Sequence, residues 1–513
     1  MSDPDLVCRN IKEILERYHE ATLTLANANE GPVSPDASLR LDELEGEGME
    51  DMLSRQANSL LQVYDAGKAG CSRDSAAFAR IALRLKDVEL ASHARLYVYR
   101  FDQVPFRWRQ IYSDAHILTT FHILLANLPW QRPFEEQKQG FLKSLDEVIA
   151  RLDRALVTAG GGGRESWINQ TMKMLHQAWE RIEEPGLEGE FSSREPFGRP
   201  TLTRPCARHQ GWDIDRFERY MEEGHAVAVN TGAVGPVPIV FTDLTRDDWP
   251  ALRQRTWFRP DYLFRQTTGG RRLVPVEIGR SYVDAGWGQE LLPFKDFLVR
   301  FIDRTLTSGD ATAATAAAAA DPAAASVAAQ QTGYLAQHNL FEQIPALRND
   351  ILVPDLCWAA APSQHPLTGA AKPKLPLPEL NAWFGPPGTI TPLHTDGYNN
   401  LLCQAVGAKY VRLYPPQADK YMRPMSSDEN GVDMSNTSAI DLGAIEGWDG
   451  GPDADVSDDE ETKKYIQEQR DSLEGVEYFE CILEPGDTLL IPVGWWHCVR
   501  SLSVSFSVSF WWN

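Results

Sequence analysis

From Ser501 to Phe510 the chain reads SLSVSFSVSF, with serine at every odd position and Leu502, Val504, Phe506, Val508 and Phe510 between them. A period of two is the mark of a β-strand, because successive side chains point to opposite sides of a sheet. The spacing predicts a strand with one face in a core and a second face that is small and polar. A helix cannot use this pattern, since residues two apart do not share a helical face.

Other stretches downstream of residue 200 have the same character. GPVPIVFTDL, RRLVPVEIG, NAWFGPPGTITPLH, LLCQAV, KYVRLYPP and CILEPGDTLLIP read as strands, many of them bounded by glycine or proline. Many short strands with turn signals predict a sandwich or a double-sheet roll. Upstream the period changes. Val7, Ile11, Ile14, Leu15 and Tyr18 fall on one helical face after an Asp3-Pro4 start signal. Leu142, Leu145, Val148, Ile149, Leu152 and Leu156 form another such face, and Ile168, Met172, Leu175, Trp179 and Ile182 a third. GGGGR at 160–164 separates these last two. It lacks the Lys-Ser/Thr of a phosphate loop and reads as a flexible turn. The expected organisation is α+β, with a helical domain over 1–204 and a β-rich domain over 205–513. Two inserts interrupt the second domain. One is Ala-rich, at about 306–330. The other is acidic and Gly-rich, at about 426–475, and reads as a long mobile loop.

Composition narrows the function. No apolar run approaches the ~20 residues of a membrane span, and the N-terminus lacks the order of a secretory signal. Seven scattered cysteines without a CxxC pair disfavour a disulfide framework and a zinc finger, and point to cytosol or nucleus. A net charge of −22 argues against gripping a phosphate backbone, so no direct nucleic-acid binding is expected. A basic protein or peptide is the easier partner.

TPLHTDGYNN, residues 391–400, holds a histidine and an aspartate two positions apart. On a strand His394 and Asp396 project to the same side, about 7 Å apart at Cα. They are either two surface polar residues or part of a metal site. Two ligands hold a metal poorly, and LLIPVGWWHCV offers His497 at the end of another strand. Two histidines and one carboxylate are the facial set of non-haem Fe(II) oxygenases, with open positions opposite. In KYVRLY, Lys409 shares a face with Val411 and Leu413. A lysine there is costly to bury unless it meets an anion, such as a dicarboxylate cosubstrate; otherwise it snorkels to water. Thr391 and Asn400 are placed to donate hydrogen bonds to carboxylate oxygens. His338, His365 and Cys498 read as structural.

NAWFGPPGTITPLHTD, NLLCQAVGAKYVRLYPP, PGDTLLIPVGWWHCVRSL and SFSVSFWW, in that order, resemble the JmjC family of 2-oxoglutarate oxygenases. VPVEIGRSYVDAGW, GYLAQHNLFEQIPALRNDI and PDLCW extend the resemblance over most of 205–513. It implies a double-stranded β-helix of the cupin, jelly-roll type. It implies Fe(II) on His394, Asp396 and His497, with O2 as oxidant. It implies 2-oxoglutarate held by Lys409, with Thr391, Asn400 and Tyr282 completing the pocket. Trp383 and Trp512 match positions near the substrate, although core packing is an equal reading for Trp512. Gly397 and Tyr398 depart from the family, where proline often follows the aspartate.

The implied reaction puts a hydroxyl on a substrate C–H. On a side-chain carbon the product is an alcohol; on an N-methyl it falls apart to formaldehyde and amine. Without reader or zinc modules, the sequence favours hydroxylation of a basic side chain, arginine first, over demethylation of methyl-lysine on a histone. A non-catalytic JmjC scaffold is a third class, and a metal-only cupin isomerase would not need Lys409.

Overall fold

The computed structural model describes residues 4–27, 47–71, 74–128, 133–182, 186–279, 286–303, 306, 332–427, 433–448 and 460–513. They form two compact units, residues 1–185 with 267–273, and residues 186–266 with 274–513. The division differs from one at residue 205 because Leu187 and Phe191 are already buried in the core of the second unit.

The first unit is helical. It contains α1 (Pro4–Ala26), α2 (Glu47–Lys68), α3 (Ser75–Leu96), α4 (Phe106–Asn127), α5 (Phe134–Ala159) and α6 (Glu165–Glu180). Most of the apolar positions of α1, α5 and α6 named above are buried in this unit's core, with Leu142 and Leu156 partly buried against it. α4 is buried on nearly every side, from Trp108 to Leu125, so it is the central helix. The expected flexible turn at 160–163 is instead a tight, buried connection. Gly160 closes α5 in the left-handed region, at φ 62°. A Cβ on Gly162 would lie 2.4 Å from the carbonyl oxygen of Arg109, so close packing demands glycine there. The segment 267–273 joins this unit through Arg272, whose Nε and Nη2 donate to buried Asp153 at 2.9 and 2.7 Å.

The second unit is the roll. Its large sheet uses β1 (Ala207–His209), β2 (Ile239–Phe241), β3 (Leu273–Ile278), β4 (Gly288–Pro293), β5 (Gly333–His338), β6 (Glu379–Gly385), β8 (Asn399–Val406), β11 (Thr488–Ile491) and β13 (Ser505–Trp512). Its order is β1-β2-β11-β8-β13-β6-β5-β3-β4. The small sheet, in the order β10-β9-β12-β7, uses β7 (Ile390–Thr395), β9 (Lys409–Tyr414), β10 (Phe479–Leu483) and β12 (Trp496–Ser501). Strands that alternate between two sheets make the jelly-roll, a double-stranded β-helix.

The alternation that opened the analysis decides how β13 is used. Phe506, Val508, Phe510 and Trp512 enter a core outside the large sheet, where Phe506 stacks on Phe384 and packs against Trp257. The serine face is buried too. Ser507 Oγ donates to Gln404 Oε1 at 2.6 Å, and Ser509 Oγ accepts from Trp383 Nε1 at 2.9 Å. Between the sheets Leu402, Val411, Leu413, Leu489, Ile491 and Val499 form a second core. A third lies outside the small sheet, where Met422, Ile440 and Leu442 cover Tyr414, Trp496 and Cys498. Part of that cover comes from the acidic insert. It is not wholly the long loop expected: its described residues include two helices, α7 (Leu442–Glu446) and α8 (Glu460–Ser472). The Ala-rich insert lies outside the described residues, apart from Leu306.

Candidate metal centre

β7 and β12 are antiparallel neighbours, and His394 pairs directly with His497 across the ladder. Register alone therefore brings the two rings together, with centroids 4.2 Å apart. Asp396 follows the end of β7. Its Oδ1 lies 3.8 Å from His394 Nε2 and its Oδ2 lies 3.6 Å from His497 Nε2. The ligand atoms of the three residues all fall within 4.8 Å of one another, the only such cluster among the described residues.

Each ring is held by its other nitrogen. His394 Nδ1 donates to the Pro392 carbonyl at 2.8 Å, and His497 Nδ1 donates to the Trp495 carbonyl at 3.0 Å. This leaves both Nε2 atoms as acceptors aimed at Asp396, which is how metal-binding histidines are oriented. Burial, with His394 nearby, lowers His497 to a pKa of about 4, so it is neutral and ready to ligate near neutral pH.

One cavity holds the three ligands together with Thr391, Asn400, Lys409, Trp383 and Tyr334. Thr391 stands three residues before His394, which on a regular strand would put it on the opposite face. A bulge between His497 and Val499 shifts the register and pairs Thr391 with Val499, so both reach the cavity. Lys409 is 1% exposed. Its Nζ donates to Tyr334 Oη at 3.1 Å and approaches the Trp383 carbonyl at 3.5 Å. No carboxylate partner is recorded for it among the described residues, and burial lowers its pKa to about 7. Asn400 Nδ2 reaches Asp396 Oδ2 at 3.4 Å, while its Oδ1 is buried without a partner. These features fit a metal with two nitrogens and one carboxylate, and a bound anion near Lys409.

Tyr282 lies outside the described residues. The tyrosine that meets Lys409 is Tyr334 on β5, which sequence reasoning missed. Burial raises its hydroxyl pKa well above the usual range. Trp383 lines the cavity, its indole fixed by Ser509. Trp512 does not: it belongs to the outer core with Phe217 and Phe510. Trp511 has the parity of Ser509 and stacks on Tyr398, beside Asp396. Outside the cluster, His338 Nε2 bonds Gln343, His365 Nδ1 accepts from the Leu367 and Thr368 amides, and Cys498 is packed in the outer core.

A jelly-roll with a His-Asp-His cluster inside defines a cupin, and a family model described as a cupin-like domain matches residues 233–513. The chain is 37% identical over 429 residues to lysine-specific demethylase 8 of Danio rerio, covering 82% of this chain and 85% of that one. It is 30% identical over 463 residues to Jumonji C domain-containing protein 5 of Drosophila melanogaster, covering 90% and 92%. A more distant relative is the bifunctional peptidase and (3S)-lysyl hydroxylase JMJD7 of Homo sapiens, 26% identical over 271 residues, covering 52% and 74%. The chain belongs to the JmjC family of 2-oxoglutarate-dependent dioxygenases. It is an enzyme of that class, and the scaffold reading is set aside.

Proposed function

We propose that this protein demethylates methyl-lysine on a protein substrate, histones among the candidates, with Fe(II) on His394, Asp396 and His497 and 2-oxoglutarate on Lys409. The observation that carries the cosubstrate is the buried ammonium of Lys409, with no carboxylate partner among the described residues and in the same cavity as the triad. The lysine target rests on the relative named as a lysine-specific demethylase, which matches over most of both chains. This ordering reverses the preference for arginine hydroxylation drawn from sequence.

When bound, iron and 2-oxoglutarate together let O2 oxidise a substrate C–H to C–OH, with succinate and carbon dioxide released. The chain's own residues do the rest. Lys409 offers an ammonium, and Tyr334 and Thr391 offer hydroxyls, to the far carboxylate of the cosubstrate. The arriving anion favours the protonated form of Lys409 against burial. Trp383, locked by Ser509, presents a fixed aromatic face beside the metal, suited to a methylammonium. Glu277 on β3 pairs with Tyr334 on β5, and burial raises its carboxyl pKa.

Hydroxylation of a basic side chain, lysine or arginine, is the second reading, favoured by the relative named as a lysyl hydroxylase. The test is to incubate the full chain with Fe(II), 2-oxoglutarate and peptides bearing methyl-lysine, lysine or arginine, and to read the mass change. Loss of a methylene supports demethylation. Gain of one oxygen without that loss moves the assignment to hydroxylation.

A further inference from the structure

A second groove, lined by residues distinct from those of the metal cavity, comes close to that cavity at Lys372. The stem of Lys372 lies against Gly397, the residue after Asp396. A Cβ at that glycine would fall 2.7 Å from Lys372 Cγ and 2.8 Å from Cε. Any side chain at that position would force Lys372 to move. Asn513 ties the same segment down. Its Nδ2 donates to the carbonyls of Lys372 and Pro373 at 3.3 and 3.0 Å, and its Oδ1 accepts from the Leu375 amide at 2.7 Å. The Tyr398 hydroxyl reaches the Pro373 carbonyl at 3.4 Å.

Beyond this tie the groove continues along Lys374, Trp358, Leu377 and Trp512, with Glu222 also on its wall. Trp358 is 54% exposed and Leu377 65%, an apolar surface left in water. Trp512, 3% exposed, closes the groove from the core side. Two lysines share this short stretch of a chain whose net charge is −22. The Ser435 amide and, more weakly, the Lys372 charge hold the Asp433 carboxyl below its usual pKa range.

We propose that this groove takes the segment of substrate polypeptide next to the target residue, and that Lys372 and Lys374 select acidic side chains in it. The target itself is a cation and enters the metal cavity. Its flank is read by opposite charge, with Trp358 and Leu377 contacting apolar side chains. Gly397 is then a specificity feature, because it makes room for Lys372 at the lip. The proposal rests on the oxygenase reading of the neighbouring cavity.

The test uses full-length protein and labelled peptides with one central methyl-lysine, flanked by glutamate, glutamine or lysine, with binding followed by fluorescence anisotropy. The wild type should bind glutamate-flanked peptides about three- to tenfold tighter than lysine-flanked ones, the scale of rim charge pairs. Lys372→Glu with Lys374→Glu should reverse that order. Trp358→Ala should weaken all the peptides without changing the order. An order that survives the double charge reversal overturns the proposal, as does a wild type indifferent to flank charge. Peptide-independent succinate formation by the wild type is measured in parallel. If it is absent while the order still reverses, the oxygenase reading falls and the groove stands.

Discussion

β9 carries two buried cations on opposite faces, and they live differently. Arg412 faces outward beneath the insert. It donates to Tyr410 Oη at 2.8 Å and to Glu446 at 2.6 Å, lies 3.8 Å from Glu480, and stacks over Tyr478. Burial works against its charge, yet Tyr410, Tyr414 and Glu446 outweigh burial and hold its pKa above the usual range. Lys409 faces the roll interior with a phenol and a carbonyl for company, and its pKa is lowered by burial. One cation is satisfied by the fold. The other is left for something that arrives. A buried charge without its counter-charge is a sharper pointer to function than a buried charge as such.

The largest expected effect separates the two faces outright. His394→Ala or Asp396→Ala should reduce succinate formation to background while thermal unfolding stays close to wild type, because each removes one of three ligands and little packing. Wild-type turnover with iron retained would break the metal assignment. On the outer face Glu480→Gln should do the reverse. Loss of one buried partner of Arg412 costs about 3 kcal/mol, several degrees in Tm, with turnover per folded molecule kept. An equal loss of turnover would mean that the faces are not independent.

Lys409→Met comes next. It should weaken 2-oxoglutarate binding about ten- to a hundredfold, since a charge-assisted hydrogen bond contributes about 1.5–3 kcal/mol. It should also raise the Tm of the protein without cosubstrate, because an uncompensated buried ammonium is gone. Isothermal titration and a melting curve read both. The smallest effect is a pH slope. An unfolded lysine keeps its proton to about pH 10.4, and folded Lys409 loses it at about 7. Between those values the unfolded chain binds more protons, so stability without cosubstrate rises with pH, by at most about 1.4 kcal/mol per unit. Cosubstrate affinity should fall over the same range. Denaturant midpoints from pH 6.5 to about 9.5 should show a rise that Lys409→Met abolishes.

Local periodicity carried much of this into view from sequence. The alternation of β13, the shared side of His394 and Asp396, and the inward parity of Lys409 are rules of neighbouring residues on one strand. Parity run one step further also separates Trp511 from Trp512: the first follows the serines and the second follows Phe510. Tyr334 was invisible because its meeting with Lys409 depends on how β5 and β9 sit in different sheets. The bulge opposite Thr391 is a pairing property that neither strand declares alone. α8 hid within an acidic stretch whose composition resembles a solvated loop.

The pairing of His394 with His497 has a consequence for the order of events during folding. Between the two residues the chain must lay down β8, β9, β10 and β11 before β12 can close against β7. Contacts between positions so distant in sequence form slowly, since the loop must close before the contact rewards it. A half-built roll presents at most two of the three ligands, His394 on β7 and Asp396 just after it. An ion bound by all three therefore recognises only molecules whose ladder is shut. By mass action it adds to the lifetime of those molecules and does nothing for the rest. Metal supply would set how long the finished enzyme persists, and the rate at which it is made would be left to the strands.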